Sequence, residues 1–99
     1  MNIYDRNIRI TTKSGSYYKI NRGLFSKNSD GWSAMHEVFF FDADNLPPTV
    51  KGWSQFFEFS KTMPKTFEPE IGKHMFISGR DFWWISTEIV NIEEYPVDD

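Results

Sequence analysis

The hydrophobic residues of this chain are nearly all of one kind, and that kind constrains the fold more than any motif does. Ten Phe, four Trp, four Tyr, nine Ile and four Val stand against two Leu and two Ala. Aromatic and β-branched side chains fit a pleated, half-buried surface and lose rotamer freedom in a helix. Leu and Ala, the strong helix formers, are nearly missing. The bias predicts a sheet-dominated fold. Each ring buries about 150–250 Å², so 99 residues suffice for one substantial core and a single domain over 1–99. Successive side chains on an extended strand point to opposite faces. Phe39-Phe40-Phe41 and Trp83-Trp84 therefore cannot all enter one core from a regular strand. Their second face needs a helix, a partner or a second copy of the chain.

Patterning along the chain fills in the elements. Ile8-Arg9-Ile10-Thr11 alternates, Lys13-Ser14-Gly15 offers a turn, and Tyr18 and Ile20 return on one face with Tyr17 and Lys19 on the other. This predicts a β-hairpin over 7–21. Residues 22–33, rich in Gly, Ser, Asn and Asp, read as a long loop carrying Phe25 and Trp32. Met35 to Phe41 reads as a strand covered on both faces. Residues 42–48 break the pattern at Pro47-Pro48. Over 49–62 the spacing of Val50, Trp53, Phe56, Phe57 and Ser60 predicts a helix, with Thr49 as N-cap and Pro64 beyond its end; a spacing of two over Trp53, Gln55, Phe57 and Phe59 is the strand alternative. A loop over 63–72 precedes a strand over 73–78, a Gly79-Arg80 turn and a hairpin partner over 81–86. Residues 87–93 continue extended, and 96–99 form a frayed tail. The expected architecture is α+β: a small curved antiparallel sheet of five to six strands, partly barrel-like, with one short helix packed on it.

Charge and motifs exclude more than they assign. Eleven basic residues against fourteen acidic give a net charge of −3, unevenly placed. Residues 1–30 carry a net +4, and Glu88 to Asp99 hold five acids and no base. There is no cysteine, which removes disulfides, thiolate metal sites and a Cys nucleophile together. No run approaches the roughly 18 apolar residues of a membrane span, and no signal pattern opens the chain, so the expected location is the cytoplasm. No phosphate-cradling glycine loop and no nucleophile elbow occur. The histidines, His36 and His74, both fall in predicted strands, where packing explains them better than general-base or metal-ligand roles. Asp42, Asp44 and Asn45 begin like a calcium loop, but Pro47 and Trp53 stand where its glycine and bidentate glutamate belong. The carboxylate pairs Glu68/Glu70 and Glu93/Glu94 show no reason for one member to be desolvated. The expectation is a non-enzyme without metal or cofactor.

Two binding readings remain. Interface hot spots favour Trp, Tyr and Arg, so Trp83, Trp84 and Tyr17, with the acids Glu88, Glu93 and Glu94, are the expected partner-binding residues. In one version Glu88, Glu93, Glu94 and Asp98 stand in for nucleic-acid phosphates and occupy a basic groove. The alternative is binding of a nucleotide or single-stranded nucleic acid through Arg9, Lys19, Arg22 and Arg80, with aromatic rings as stacking platforms. A homo-oligomer is a further expected way of covering spare rings.

The N-terminal hairpin with Thr11, Ser16 and Tyr18, and the closing Gly79-Arg80 turn followed by Phe82-Trp-Trp-Ile-Ser-Thr-x-Ile-Val-x-Ile92, give the chain a layout. It resembles small accessory proteins of bacterial viruses and mobile elements, among them anti-defence inhibitors such as anti-CRISPR proteins. About a quarter of the chain carries the resemblance, together with its size, acidity and aromatic excess. The resemblance implies a non-catalytic protein that occupies a functional site on a larger host protein, or that sequesters a small signalling nucleotide.

Overall fold

The structure, a computed structural model, describes residues 3–42 and 53–96. A 3-10 turn (Ile3–Asp5) leads into β1 (Asn7–Thr12), β2 (Tyr17–Asn21), β3 (Leu24–Lys27), β4 (Ser33–Ala34) and β5 (Glu37–Phe41). After α1 (Trp53–Ser60) come β6 (His74–Ser78), β7 (Trp83–Ile85) and β8 (Ile89–Tyr95). The strands form two antiparallel sheets, in the orders β4-β3-β2-β1-β8 and β5-β6-β7. The domain is thus mostly strand with one short helix among the described residues. The expected single, partly barrel-like sheet of five to six strands is corrected to two open sheets. The reason lies at Ser86. Its buried hydroxyl accepts from the Met75 amide at 2.9 Å and donates to the Thr87 carbonyl at 2.8 Å. That corner turns the chain out of β7, and β8 pairs with β1 in the other sheet.

The layers stack as sheet, sheet and helix. Between the sheets lies one core, with Ile8, Ile10, Tyr18, Ile20 and Phe25 facing Val38, Phe40, Met75 and Ile77. Between the three-stranded sheet and α1 lies a second, built from Phe39, Phe41, Phe56, Met63 and Phe76. Phe39, Phe40 and Phe41 are 1 %, 0 % and 0 % exposed. Their splay therefore leaves no apolar surface for a partner, because α1 covers the face that Phe40 does not use. The rings of Phe39 and Phe56 each stack on Phe76 at 4.9 Å, a geometry worth about 0.5–1.5 kcal/mol per pair beyond burial.

The hairpin over 7–21 forms as its alternation predicts. Two other expectations change. Residues 22–33 are not one loop: β3 and β4 lie there, because Arg22 and Gly23 take φ of 50° and 82° with Asn21 opposite Leu24. Positive φ at both central residues is the two-residue turn whose twist matches a hairpin. The helix is shorter than 49–62 at its C-terminal end, stopping at Ser60, whose hydroxyl donates to the Phe57 carbonyl at 2.8 Å. Its buried side is Phe56, Ser60 and then Met63, while Phe57 faces solvent beside the Lys61 ammonium. Thr49, Val50, the Pro47-Pro48 break and the tail over 97–99 lie outside the described residues.

Arg6 ties the far ends of the chain together. Its Nη1 donates to both Glu68 oxygens at 2.7 Å, and its Nε and Nη2 donate to Glu94 at 3.0 and 2.5 Å. The Glu94 partnership, then Glu68, raises the Arg6 pKa further above its already high value. The same bonds hold the Glu94 carboxyl below its ordinary 4.5. The clamp fastens β8 and the connection between α1 and β6 to the start of β1. Among the described residues no helix is long and apolar enough to cross a membrane.

Candidate functional site

One face of the five-stranded sheet is backed by the inter-sheet core; the other is open. Strand alternation sends Ile8, Ile10 and Thr12 inward and Asn7, Arg9 and Thr11 outward, and register lines the outward residues up in rows. One row reads Tyr95, Asn7, Asn21, Leu24; the next reads Glu93, Arg9, Lys19, Ser26; the third reads Asn91, Thr11, Tyr17. The face is therefore polar, cationic at its centre and aromatic at its corners.

Arg9 and Lys19 are direct cross-strand partners. Arg9 Cζ lies 4.4 Å and Lys19 Nζ 5.8 Å from the centroid of the Tyr17 ring, so two cations share one aromatic ring. Such contacts stabilise by about 0.5–1 kcal/mol when exposed and more when desolvated. Arg9 Nε is buried and has no hydrogen-bond partner among the described residues. The acid on the same row, Glu93, accepts from Asn91 Nδ2 at 3.0 Å and from the Tyr95 hydroxyl. That bond to the carboxylate pushes the Tyr95 pKa above its ordinary value and keeps the phenol protonated. Tyr17 is anchored in turn: its hydroxyl bonds Ser29 Oγ at 2.7 Å, and its amide donates to Asn28 Oδ1 at 2.9 Å. Asn28 and Ser29 take φ of 53° and 64°, a left-handed pair that few side chains adopt. This turns the chain so that Trp32 joins Arg9, Lys19, Asn7, Asn21 and Tyr95 around a cavity of about 260 Å³.

Of the alternative set, the structure brings together Arg9 and Lys19. Arg22 sits at the exposed β2–β3 turn. Arg80 belongs to the β6–β7 turn of the other sheet, where it lines a separate cavity of about 520 Å³ with His36, Glu37 and Asp81. The two acids there outnumber the one guanidinium, so that hollow presents no net positive charge to an anion. The aromatic and acidic set is dispersed. Trp83 packs against the helix-side core, and Trp84 projects to the other side under the Lys27 ammonium, 4.0 Å away. Glu93 and Tyr17 lie on the open face, Glu94 is held by Arg6, and Glu88 is exposed before β8. His74 is a packing residue, with Nδ1 2.7 Å from the Ser86 carbonyl and its ring stacked on Phe41. Among the described residues no three of His, Cys, Asp and Glu converge in a group that could hold a metal.

Sequence reasoning missed Asn7, Asn21, Trp32 and Tyr95 as neighbours of Arg9. The signal for Asn7 and Asn21 is present, since both fall at outward positions of the predicted hairpin. Tyr95 and Trp32 arrive through β8 pairing and a loop turn that no local pattern encodes. Comparison with known protein families, curated proteins and solved structures returns no match.

Proposed function

We propose that this chain is a non-catalytic binding protein and that its working surface is the outer face of the five-stranded sheet, which takes up an anionic ligand. One observation carries this: Arg9 and Lys19 are paired directly across two strands, with Arg9 Nε buried and without a hydrogen-bond partner among the described residues. Like charges directly opposite each other destabilise a sheet, and an unmet buried donor adds to that cost. An anion bound over the pair relieves the repulsion between the two cations. Glu93, directly across from Arg9 on β8, offsets part of that charge, but its oxygens accept from Asn91 and Tyr95, the row keeps two cations to one acid, and Arg9 Nε stays unmet among the described residues.

Thermal unfolding in inorganic pyrophosphate, against sodium chloride at equal ionic strength, tests this. At pyrophosphate tenfold above Kd the gain is about 1.4 kcal/mol, or about 7 °C in a domain of this size. Lys19→Met should abolish the pyrophosphate response and leave the stability of the free protein within about 1 kcal/mol of the parent, since relief of the like-charge pair opposes loss of the Tyr17 contact. A variant that still responds to pyrophosphate sinks the reading.

A second reading has the chain docking on a larger, basic protein, the role that the resemblance to inhibitors from bacterial viruses implies. The exposed apolar residues Phe67, Ile71 and Val90, at 63 %, 60 % and 47 %, favour it. They follow the acidic edge of β8, where Gly72 bonds Ile89 and Arg6 joins Glu68 to Glu94. Ile71→Ser with Val90→Ser leaves the pyrophosphate response intact. A biological activity lost in that variant and kept in Lys19→Met assigns the function to this edge instead.

A further inference from the structure

The open face becomes selective at the cavity above the row of Tyr95, Asn7 and Asn21. Its volume of about 260 Å³ falls just under the range of about 300–1,000 Å³ for pockets that enclose a drug-sized ligand. It has room for one flat ring system. Trp32 and Tyr95, 51 % and 43 % exposed, border it. Exposed rings at a hollow are platforms on which a nucleobase stacks whatever its identity. Asn7 and Asn21 stand directly opposite each other, and each amide offers an acceptor and two donors. That is the complement which the edge of an unpaired base requires. The cations occupy the next row, two residues along the strands, or about 7 Å away. A ribose spans such a gap between a base and its phosphate.

We propose that this cavity binds a nucleoside phosphate, with the base between Trp32 and Tyr95 against the two amides and the phosphate on Arg9 and Lys19. This rests on the reading of the outer face as an anion-binding surface. Glu93 orients the ligand: its carboxylate beside Tyr95 repels the phosphate from that flank and directs it toward Lys19. The same chemistry comes from a free nucleotide or from one unit of a single strand.

The test is a fluorescence titration of the full chain in low-salt buffer with AMP, GMP, CMP and UMP, with a mixed-sequence single-stranded DNA octamer, and with inorganic pyrophosphate. It is repeated on Trp32→Phe, Arg9→Met and Lys19→Met, with the fold of each checked by circular dichroism. The expected result is a saturable change with nucleotides that is lost in Trp32→Phe, and an affinity at least tenfold weaker in both Met variants. Octamer binding well above that of the mononucleotides names a strand as the source; equal affinity names the free nucleotide. Pyrophosphate binding as tight as the nucleotides, with the same loss in Arg9→Met, overturns the nucleotide assignment and leaves the anion reading standing. No saturable response to any probe overturns both. Nucleotide binding unchanged in the two Met variants overturns this site.

Discussion

Arg6 shows how a single side chain can draw distant segments together. Its side chain is 11 % exposed, and it joins Glu68 and Glu94, 62 and 88 residues away in sequence. Because the Glu94 carboxyl sits below its ordinary 4.5 in the folded state, its contribution is fully present above that pH. It is lost as the pH falls through the lowered value. Glu94→Gln should therefore cost about 0.2–1 kcal/mol at neutral pH, the scale of a solvent-screened pair. The difference from the parent chain in urea unfolding should shrink as the pH drops below 4.5; a difference that stays constant down to strongly acidic pH excludes this role. Charge counting places Glu94 among the acids that face a partner, and nothing local in the sequence pairs it with Arg6. Arg9 and Lys19 are the opposite case. Alternation within one hairpin is enough to put both outside, because the period of two needs no long-range information.

At the scale of elements, legibility follows the range of the contact that defines each one. The first hairpin and the β6–β7 hairpin are readable from turn residues and alternation. Strand β3 is missed because Asn21-Arg22-Gly23 hides a two-residue turn inside a polar stretch that reads as loop. Strand β8 is found, but its sheet is not, since its pairing with β1 joins opposite ends of the chain. The Gly79-Arg80 turn is found for an incomplete reason. Gly79 does not need a positive φ; it needs the absence of a side chain. A Cβ there would lie 2.3 Å from the Phe82 ring and 2.7 Å from the Ala34 carbonyl oxygen. Since Phe82 packs against the inter-sheet core and its ring meets Phe25 at 5.0 Å, it has little room to yield. Gly79→Ala should destabilise by about 1–3 kcal/mol, the cost of overpacking. An unchanged urea midpoint would mean that Phe82 swings away freely.

For the whole molecule, the three-stranded sheet is the wall between two cores, and damage on either side of it is shared. Phe56 is fully buried on the helix side and touches Phe39, Phe41 and Phe76. Phe56→Ala should cost about 3–5 kcal/mol, a large part of the roughly 5–15 kcal/mol that holds such a domain together. Unfolding in urea should remain a single transition, with Trp fluorescence and far-ultraviolet circular dichroism giving the same midpoint. Separated midpoints would show the helix layer melting alone. The consecutive phenylalanines announce in the sequence that two faces must be covered. They do not announce by what, because that depends on where α1 lands and not on the strand itself.

The first hairpin also divides its letters between two tasks. Even positions from 8 to 12, with 18 and 20, are spent on holding the molecule together, and odd positions from 7 to 11 and from 17 to 21 face outward. A lineage, or an engineer, can rewrite the odd set wholesale and exchange one recognised molecule for another while the scaffold beneath stays as it was. Relatives of this chain would then keep a readable even register long after the odd one had drifted beyond recognition.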